Sequence, residues 1–311
     1  MSNTDREKVL FIVNPTSGKM TIKNKLFDVL KLFSNAGFES TVLMTEKSGD
    51  ATKFTEKYAP SFDRIISCGG DGTLNEIVTG MMSLKEDKRR PIGFIPAGTT
   101  NDLADTLKIP KTPIEAAKAI IANQALPNDV GNFNNTRYFN YIASCGAFTS
   151  TSYATPQNMK NSLGHLAYIL EGIKSLNEIK PIFMKIKSEE MTTEGDFLFA
   201  GVTNALSVGG IYKFDAKHVN LNDGLFEVLL IRMPKNTTDI VDKFSNLANL
   251  NYEENQVLFF HTSNITIECE QPTKWTVDGE YGGTLEKVTV KNIPDAIKVF
   301  KPESAPVVIE E

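Results

Sequence analysis

Arg64-Ile65-Ile66-Ser67-Cys68-Gly69-Gly70-Asp71-Gly72-Thr73-Leu74-Asn75-Glu76 is the stretch that decides the fold. Its first five residues read as a short buried strand. Leu74, Ile77, Val78 and Met81 then fall on one face of a helix running on to Met82. Gly69, Gly70 and Gly72 fill the turn between the two. Glycine lets a ligand approach the bare main chain. The unsatisfied N–H groups of a helix start, with the helix dipole, favour an anion. Strand, glycine turn and helix therefore point to a phosphate site. Asp71 refines this: a carboxylate facing a phosphate is repulsive unless a cation lies between them or it orients a donor. The turn reads as a phosphate cradle working with Mg²⁺. On these residues alone, an ordinary αβ loop with a helix-capping Asp stands as the equal alternative.

The same pattern repeats on either side. Lys8–Val13 (KVLFIV) reads as a central parallel strand, followed by Asn14-Pro15-Thr16-Ser17-Gly18-Lys19. A P-loop needs a Gly five residues before its Gly-Lys, and position 13 is Val, so that motif is excluded. Ile22, Leu26, Val29, Leu30 and Phe33 give the next helix its apolar face, with Gly37 as its C′ residue. Glu39–Thr45 is a strand, a helix opens at Gly49-Asp50, and Pro91–Ile95 is a fourth strand ending in Pro96-Ala97-Gly98-Thr99-Thr100-Asn101-Asp102. Thr112-Pro113-Ile114-Glu115 reads as a capping box with Pro at N1. Strands alternating with helices to about residue 125 predict a doubly wound, mostly parallel α/β nucleotide-binding domain. Ligands in such sheets sit at the carboxyl ends of strands, where Asn14, Thr45, the glycine turn and Gly98–Asp102 all fall.

After residue 128 the pattern becomes strand-rich. Asn134-Asn135-Thr136 marks a hairpin between Asp129–Phe133 and Arg137–Ala147. Alternation predicts strands over 182–186, 198–202, 225–231, 257–260, 265–270, 274–277, 285–290 and 296–300, and helices over 152–178 and 240–250. This predicts a β-rich, antiparallel, sandwich-like second domain over 129–294, with 1–128 and 295–311 forming the first.

Composition narrows the function. Hydrophobic content of 41% and a formal net charge of −5 fit a globular protein that does not bind nucleic acid through bulk charge. The start, Met1 to Lys8, is polar and reads as no signal, and no apolar run suits a membrane span. Cys68, Cys145 and Cys269 are scattered and form no CxxC pair, as expected of a reduced cytoplasmic protein.

Asn14-Pro15-Thr16-Ser17-Gly18, Gly69 to Glu76, Gly98-Thr99-Thr100-Asn101-Asp102, Asn222-Asp223-Gly224 and Asp278-Gly279-Glu280 follow one another in that order. Together they resemble the soluble bacterial diacylglycerol kinases, relatives of sphingosine and ceramide kinases, over essentially the whole chain. The resemblance implies ATP- and Mg²⁺-dependent phosphorylation of a lipid hydroxyl in an interdomain cleft. It further implies peripheral contact with the inner membrane face and a homodimer. It places ATP on Asn14, Pro15, Thr16, Ser17, Gly18, Thr45, Gly70, Asp71, Gly72, Thr73, Leu74, Asn75, Glu76 and Thr99. It makes Glu280 the general base and Asp71 its catalytic companion. It gives Asp223 a structural Mg²⁺ with the carbonyls of Asn220 and Leu225, and sets Asp102 and Asp129 beside Asp71 in a polar network. Asn220 departs from the Lys or Gln of some relatives, at little cost if the contact is a carbonyl. Taken alone, Asp278-Gly279-Glu280 and Asn222-Asp223-Gly224 are also ordinary turns. Two rival readings are an NAD-kinase-like enzyme with a soluble acceptor and a non-catalytic lipid- or nucleotide-binding relative. Lys85, Lys88, Arg89 and Arg90 form a candidate basic patch for membrane contact.

Overall fold

The computed structural model describes residues 6–18, 21–98, 101–147, 180–205, 207–208, 212–213, 219–233 and 257–302. They belong to two compact units: Met1–Val130 with Asn220–Gly224 and Ile293–Glu311, and Gly131–Val219 with Leu225–Asn292. The segment Asn220–Gly224 thus lies in the first unit, whereas the sequence reading kept 129–294 whole. The solvent-inaccessible carboxylate of Asp129 accounts for this. It accepts the N–H groups of Gly224 (2.8 Å) and Asp295 (2.9 Å), while its own N–H donates to the Leu221 carbonyl (3.1 Å).

In the first unit, β1 (Lys8–Val13) pairs in parallel with β2 (Glu39–Met44) on one side and β3 (Arg64–Gly69) on the other, and β3 pairs in parallel with β4 (Ile92–Pro96). Residues 9–12 and 65–66 are fully buried, which is why these strands read as unbroken apolar runs. The helices are α1 (Thr21–Asn35), α2 (Asp50–Tyr58), α3 (Asp71–Met82), α4 (Asp102–Thr106) and α5 (Pro113–Ala122). α1 packs with α5 and α2 with α3. Ile22, Val29 and Phe33 carry α1 onto the core, where Phe33 meets Phe11 edge-on with centroids 5.0 Å apart. α3 begins at Asp71, so the glycine turn supplies the helix's own first residues. The capping box at α5 is half made: Thr112 accepts the Glu115 N–H (3.4 Å), but the Glu115 carboxylate pairs with Lys118 (2.8 Å).

The strands of the second unit are antiparallel, and two of them, β5 (Ala125–Phe133) and β15 (Glu280–Phe300), have part of their length in the first unit, residues 125–130 and 293–300. β5 turns through Asn134 and Asn135, both at positive φ (52° and 55°), into β6 (Arg137–Phe139). Then come β7 (Ile142–Gly146), β8 (Ile182–Ser188), β9 (Thr192–Thr203) and a two-stranded ribbon of β10 (Ser207–Val208) and β11 (Tyr212–Lys213). β12 (Phe226–Arg232), β13 (Val257–Thr262), β14 (Asn264–Val277) and β15 (Glu280–Phe300) follow. β9 and β14 each change partner midway: both pair with β8 in their first half and with β7 in their second. The ladder β9–β7–β14–β8 therefore closes on itself, over a core that includes Cys145, Met184, Ala200, Cys269 and Trp275. A register shift between Glu268 and Thr273 makes the single strand β14 read as two. The helices expected over 152–178 and 240–250 lie outside the described residues.

Candidate active site

Backbone hydrogen bonds stitch the ends of the four parallel strands together. The Asn14 N–H donates to the Cys68 carbonyl (2.9 Å), the Thr45 N–H to Val13 (2.9 Å) and the Ala97 N–H to Gly69 (2.7 Å). Asn14 then organises its own loop. Its Oδ1 accepts the Thr16 N–H (3.0 Å) and hydroxyl (2.9 Å), its carbonyl accepts the Ser17 N–H (3.3 Å), and its Nδ2 donates to Thr73 Oγ1 (3.2 Å). Pro15 is half-buried within that turn. Gly18 takes φ 51°, where a Cβ would run into the Ala97 carbonyl. The main chains of Gly70 and Gly98 cross so closely that a Cβ on Gly98 would stand 2.6 Å from the Gly70 Cα. Three loops, after β1, β3 and β4, thus converge with bare backbone turned towards one another. Thr99 lies outside the described residues.

At the centre of that convergence is the N-terminus of α3. Its N-cap, Gly70, supplies no side-chain hydrogen bond, and the first intrahelical bond is from the Leu74 N–H to the Gly70 carbonyl (3.1 Å). A helix start of this kind presents donor N–H groups and the positive end of the dipole. Gly72 is exposed and Asn75 half-buried. The Asp71 carboxylate accepts the N–H groups of Asp102 (3.2 Å) and Leu103 (3.4 Å), so it orients the start of α4. Two residues assigned to ATP have other work. Leu74 is in the core, 1% exposed, so only its main chain can touch a ligand. Glu76 caps α2: its carboxylate accepts the N–H groups of Gly49 (2.8 Å) and Ala51 (3.1 Å) and the Ser48 hydroxyl (3.2 Å).

In the second unit, Asp278 (φ 47°) and Gly279 (φ 78°) form the tight turn between β14 and β15. The Asp278 carboxylate gathers the N–H groups of Asn140 (2.7 Å), Tyr141 (3.1 Å) and Ile142 (3.1 Å). That explains why the chain breaks between β6 and β7 where the sequence suggested one strand. Glu280 follows directly, 65% exposed, with Oε2 2.7 Å from an Arg137 guanidinium nitrogen. The other arm of Arg137 donates to the Tyr281 carbonyl (2.9 Å). Arg137 was missed by sequence reasoning, and Asn101 was quoted within the Gly98–Asp102 motif without a role. Asn101 takes φ 55° and clasps Gly98, accepting its N–H (2.9 Å) and donating to its carbonyl (3.0 Å). The tolerance of Asn for that conformation was the available signal.

The oxygen donors assigned to a metal divide. Asp223 is exposed. The Asn220 Oδ1 accepts the Asn222 N–H (3.4 Å), leaving the Asn220 carbonyl as the expected donor, and the Leu225 carbonyl accepts the Asn292 amide (3.1 Å). One water-facing carboxylate with main-chain oxygens and no nitrogen or sulfur suits Mg²⁺, a hard ion that keeps several waters. Among the described residues, no group of three or more His, Cys, Asp or Glu is placed to hold a metal ion. Asp71 and Asp102 are brought together, whereas the bonds of Asp129 to Gly224 and Asp295 tie down the 220–224 loop.

Residues 8–133 match the Diacylglycerol kinase catalytic domain, and residues 144–301 match the YegS C-terminal NAD kinase beta sandwich-like domain. The chain is 35% identical over 281 residues to a diacylglycerol kinase of Bacillus subtilis (strain 168), covering 90% of this chain and 91% of that one. It is 36% identical over 314 residues to a diacylglycerol kinase of Staphylococcus aureus (strain JH9), covering 96% and 93%. Among solved structures, a putative diacylglycerol kinase from Bacillus anthracis str. Sterne superposes with a TM-score of 0.81 at 26% identity, over 97% of this chain and 99% of the other. Two matched domains and full-length relatives above one-third identity lead to one conclusion: the chain belongs to the diacylglycerol kinase family and is a kinase with an alcohol group as acceptor.

Proposed function

We propose that this protein transfers the γ-phosphate of ATP to the free hydroxyl of diacylglycerol, in a Mg²⁺-dependent reaction giving phosphatidic acid. The observation that carries the proposal is the convergence of three bare-backbone loops on the uncapped N-terminus of α3. A doubly wound first unit puts such loops at one sheet edge, where a triphosphate accepts hydrogen bonds from main-chain N–H groups. Asn14, Thr16, Ser17 and Gly18 border the nucleotide, and Asp71 fixes α4 against the glycine turn. Glu280 takes the proton of the lipid hydroxyl as its oxygen bonds to the γ-phosphorus. The bond from that phosphorus to the β–γ bridging oxygen breaks, and ADP leaves. Asp223 with the Asn220 and Leu225 carbonyls would hold Mg²⁺, which when bound neutralises phosphate charge.

The test is phosphoryl transfer from radiolabelled ATP to a panel of diacylglycerol, a sphingoid base, ceramide and NAD. Label in phosphatidic acid alone supports the proposal; label in NAD, or in no product, refutes it. Removal of a positioned base costs about 10²–10⁴-fold in rate, so Glu280→Gln should lose kcat by that factor while the KM for ATP holds. An active Glu280→Gln enzyme would dismiss the base assignment.

A further inference from the structure

The arginines of the basic run 85–90 are spent inside the first unit. The Arg89 guanidinium donates to the Ala296 carbonyl (2.8 Å) and the Arg90 guanidinium to the Phe62 carbonyl (2.8 Å). Arg137, in the second unit, is spent differently. One arm of its fork donates to the Tyr281 carbonyl (2.9 Å). The other donates to Oε2 of Glu280 (2.7 Å), the carboxylate proposed above as the base.

The main chain beneath Glu280 is fixed without Arg137. Glu280 pairs with Val277 across the turn, and the Asp278 carboxylate holds that turn to the N–H groups of residues 140–142. The Glu280 side chain is another matter. It is 65% exposed, so packing does not choose its rotamer. A general base must stand within hydrogen-bond reach of the proton it takes, and a misplacement of about 1 Å costs on the order of 10²-fold in rate. Arg137 is placed to make the choice. Its strand, β6, pairs with β5 through Phe133 and Arg137 themselves. Phe139 of the same strand is fully buried and stacks on Phe226, with centroids 5.5 Å apart. The Arg137 side chain is only 28% exposed, so it is the firmer member of the pair. Because one arm is tied to the main chain of the residue after Glu280, the other meets the carboxylate at a set place relative to that carboxylate's own backbone. A planar fork can hold two acceptors in this way, and a flexible ammonium cannot. An exposed ion pair adds little to stability, so what this one supplies is orientation. The contact uses Oε2, and the second carboxylate oxygen, Oε1, is the one turned to proton transfer.

We propose that Arg137 is a positioning residue for phosphoryl transfer: its guanidinium, tethered to the Tyr281 carbonyl, holds Glu280 Oε2 so that Oε1 meets the acceptor hydroxyl. The inference rests on the lipid-kinase reading above, with Glu280 as its base. Arg137 acts through Glu280 and makes no contact with phosphate. The hydroxyl proton passes to Glu280, while Arg137 keeps its own protons throughout.

The experiment measures kcat and the KM for ATP, with diacylglycerol in detergent micelles, alongside urea unfolding of each full-length variant. Arg137→Met keeps the length of the side chain and removes both contacts. Its kcat should fall about 10–30-fold, the factor by which a released Glu side chain spreads over its rotamers. The KM for ATP and the urea midpoint should hold. Arg137→Lys keeps the charge but not the tether, so its kcat should lie between those of Arg137→Met and the wild type. In a Glu280→Gln background, Arg137→Met should lower kcat no further, because both changes break one unit. An equal fall in the two backgrounds would mark a merely structural residue, and a raised KM for ATP would mark a phosphate contact; either overturns the proposal. A slow Glu280→Gln enzyme beside wild-type kcat in Arg137→Met refutes this inference alone. An active Glu280→Gln enzyme refutes the base, and this inference with it.

Discussion

Gly98→Ala tests whether loop convergence organises the nucleotide site. A Cβ at position 98 would lie 2.6 Å from the Gly70 Cα and 2.7 Å from Asn101 Oδ1. Ordinary contact begins at 3.4 Å, so the two main chains must part by about 0.8 Å. No flexible side-chain end is available to yield on the Gly70 side, because the obstruction there is backbone. Overpacking of this kind costs about 1–3 kcal/mol of stability. The larger effect falls on chemistry: a displacement of about 1 Å in a positioning element costs on the order of 10²-fold in rate. The assay is kcat/KM for ATP together with urea unfolding. Gly37→Ala is the control. Gly37 has φ 92°, and a Cβ added there would meet nothing within 4 Å, so its loss is conformational, roughly 1–2 kcal/mol, with no loop to displace. The two variants should therefore lose comparable stability, but only Gly98→Ala should lose about 10²-fold in kcat/KM. Wild-type kcat/KM in Gly98→Ala, or an equal fall in both, would refute the reasoning.

Three further outcomes are expected. Glu76→Ala strips the cap from α2 and should cost about 0.5–2 kcal/mol in urea unfolding, with the KM for ATP little changed; a large KM effect at wild-type stability would make Glu76 a nucleotide contact after all. The hydrogen bond from Cys145 brings the Cys269 thiol down to about 7, so thiolate ultraviolet absorbance should rise near neutral pH and move to higher pH in Cys145→Ala; an unmoved midpoint would show that the neighbour is not the cause. Burial lowers the pKa of Lys301 from its usual 10.5, against the opposing pull of Asp129, so just below 10.5 the unfolded chain binds more protons than the folded one and stability rises with pH; that increment should vanish in Lys301→Met.

The first unit was legible because a buried parallel strand and the helix after it each carry their own local signature. KVLFIV, RIISC and the apolar stripe of α1 need no distant partner to be read. The second unit was legible only in kind. β14 and β15 continue through Gln271-Pro272-Thr273 and Asn292-Ile293-Pro294, where a local reading places turns. What keeps β14 a single strand is the exchange of β8 for β7 as its partner, and partners about 80 and 130 residues away leave no local trace.

The carboxylates show the same limit within the site. Asp71, Glu76 and Asp278 each stood in a motif that suggested chemistry, Asp129 was assigned to the polar network beside them, and each is engaged with main-chain N–H groups of another segment. The separations run from 25 residues, for Glu76 and Ala51, to 166, for Asp129 and Asp295. An ionised carboxylate accepting backbone bonds is worth about 1.5–3 kcal/mol per bond, enough to fix a loop that packing alone would leave loose. Sequence can place an acid at the end of a strand, but it cannot say which distant backbone that acid holds. Of the acids in these motifs, Asp223 and Glu280 are the ones that face water. A group that must exchange protons or hold a hydrated ion has to keep such access, whereas one that only holds the loops in register loses nothing by being enclosed. Under the proposed function, the buried and half-buried carboxylates would serve as scaffold and the exposed pair, Glu280 and Asp223, would carry the chemistry.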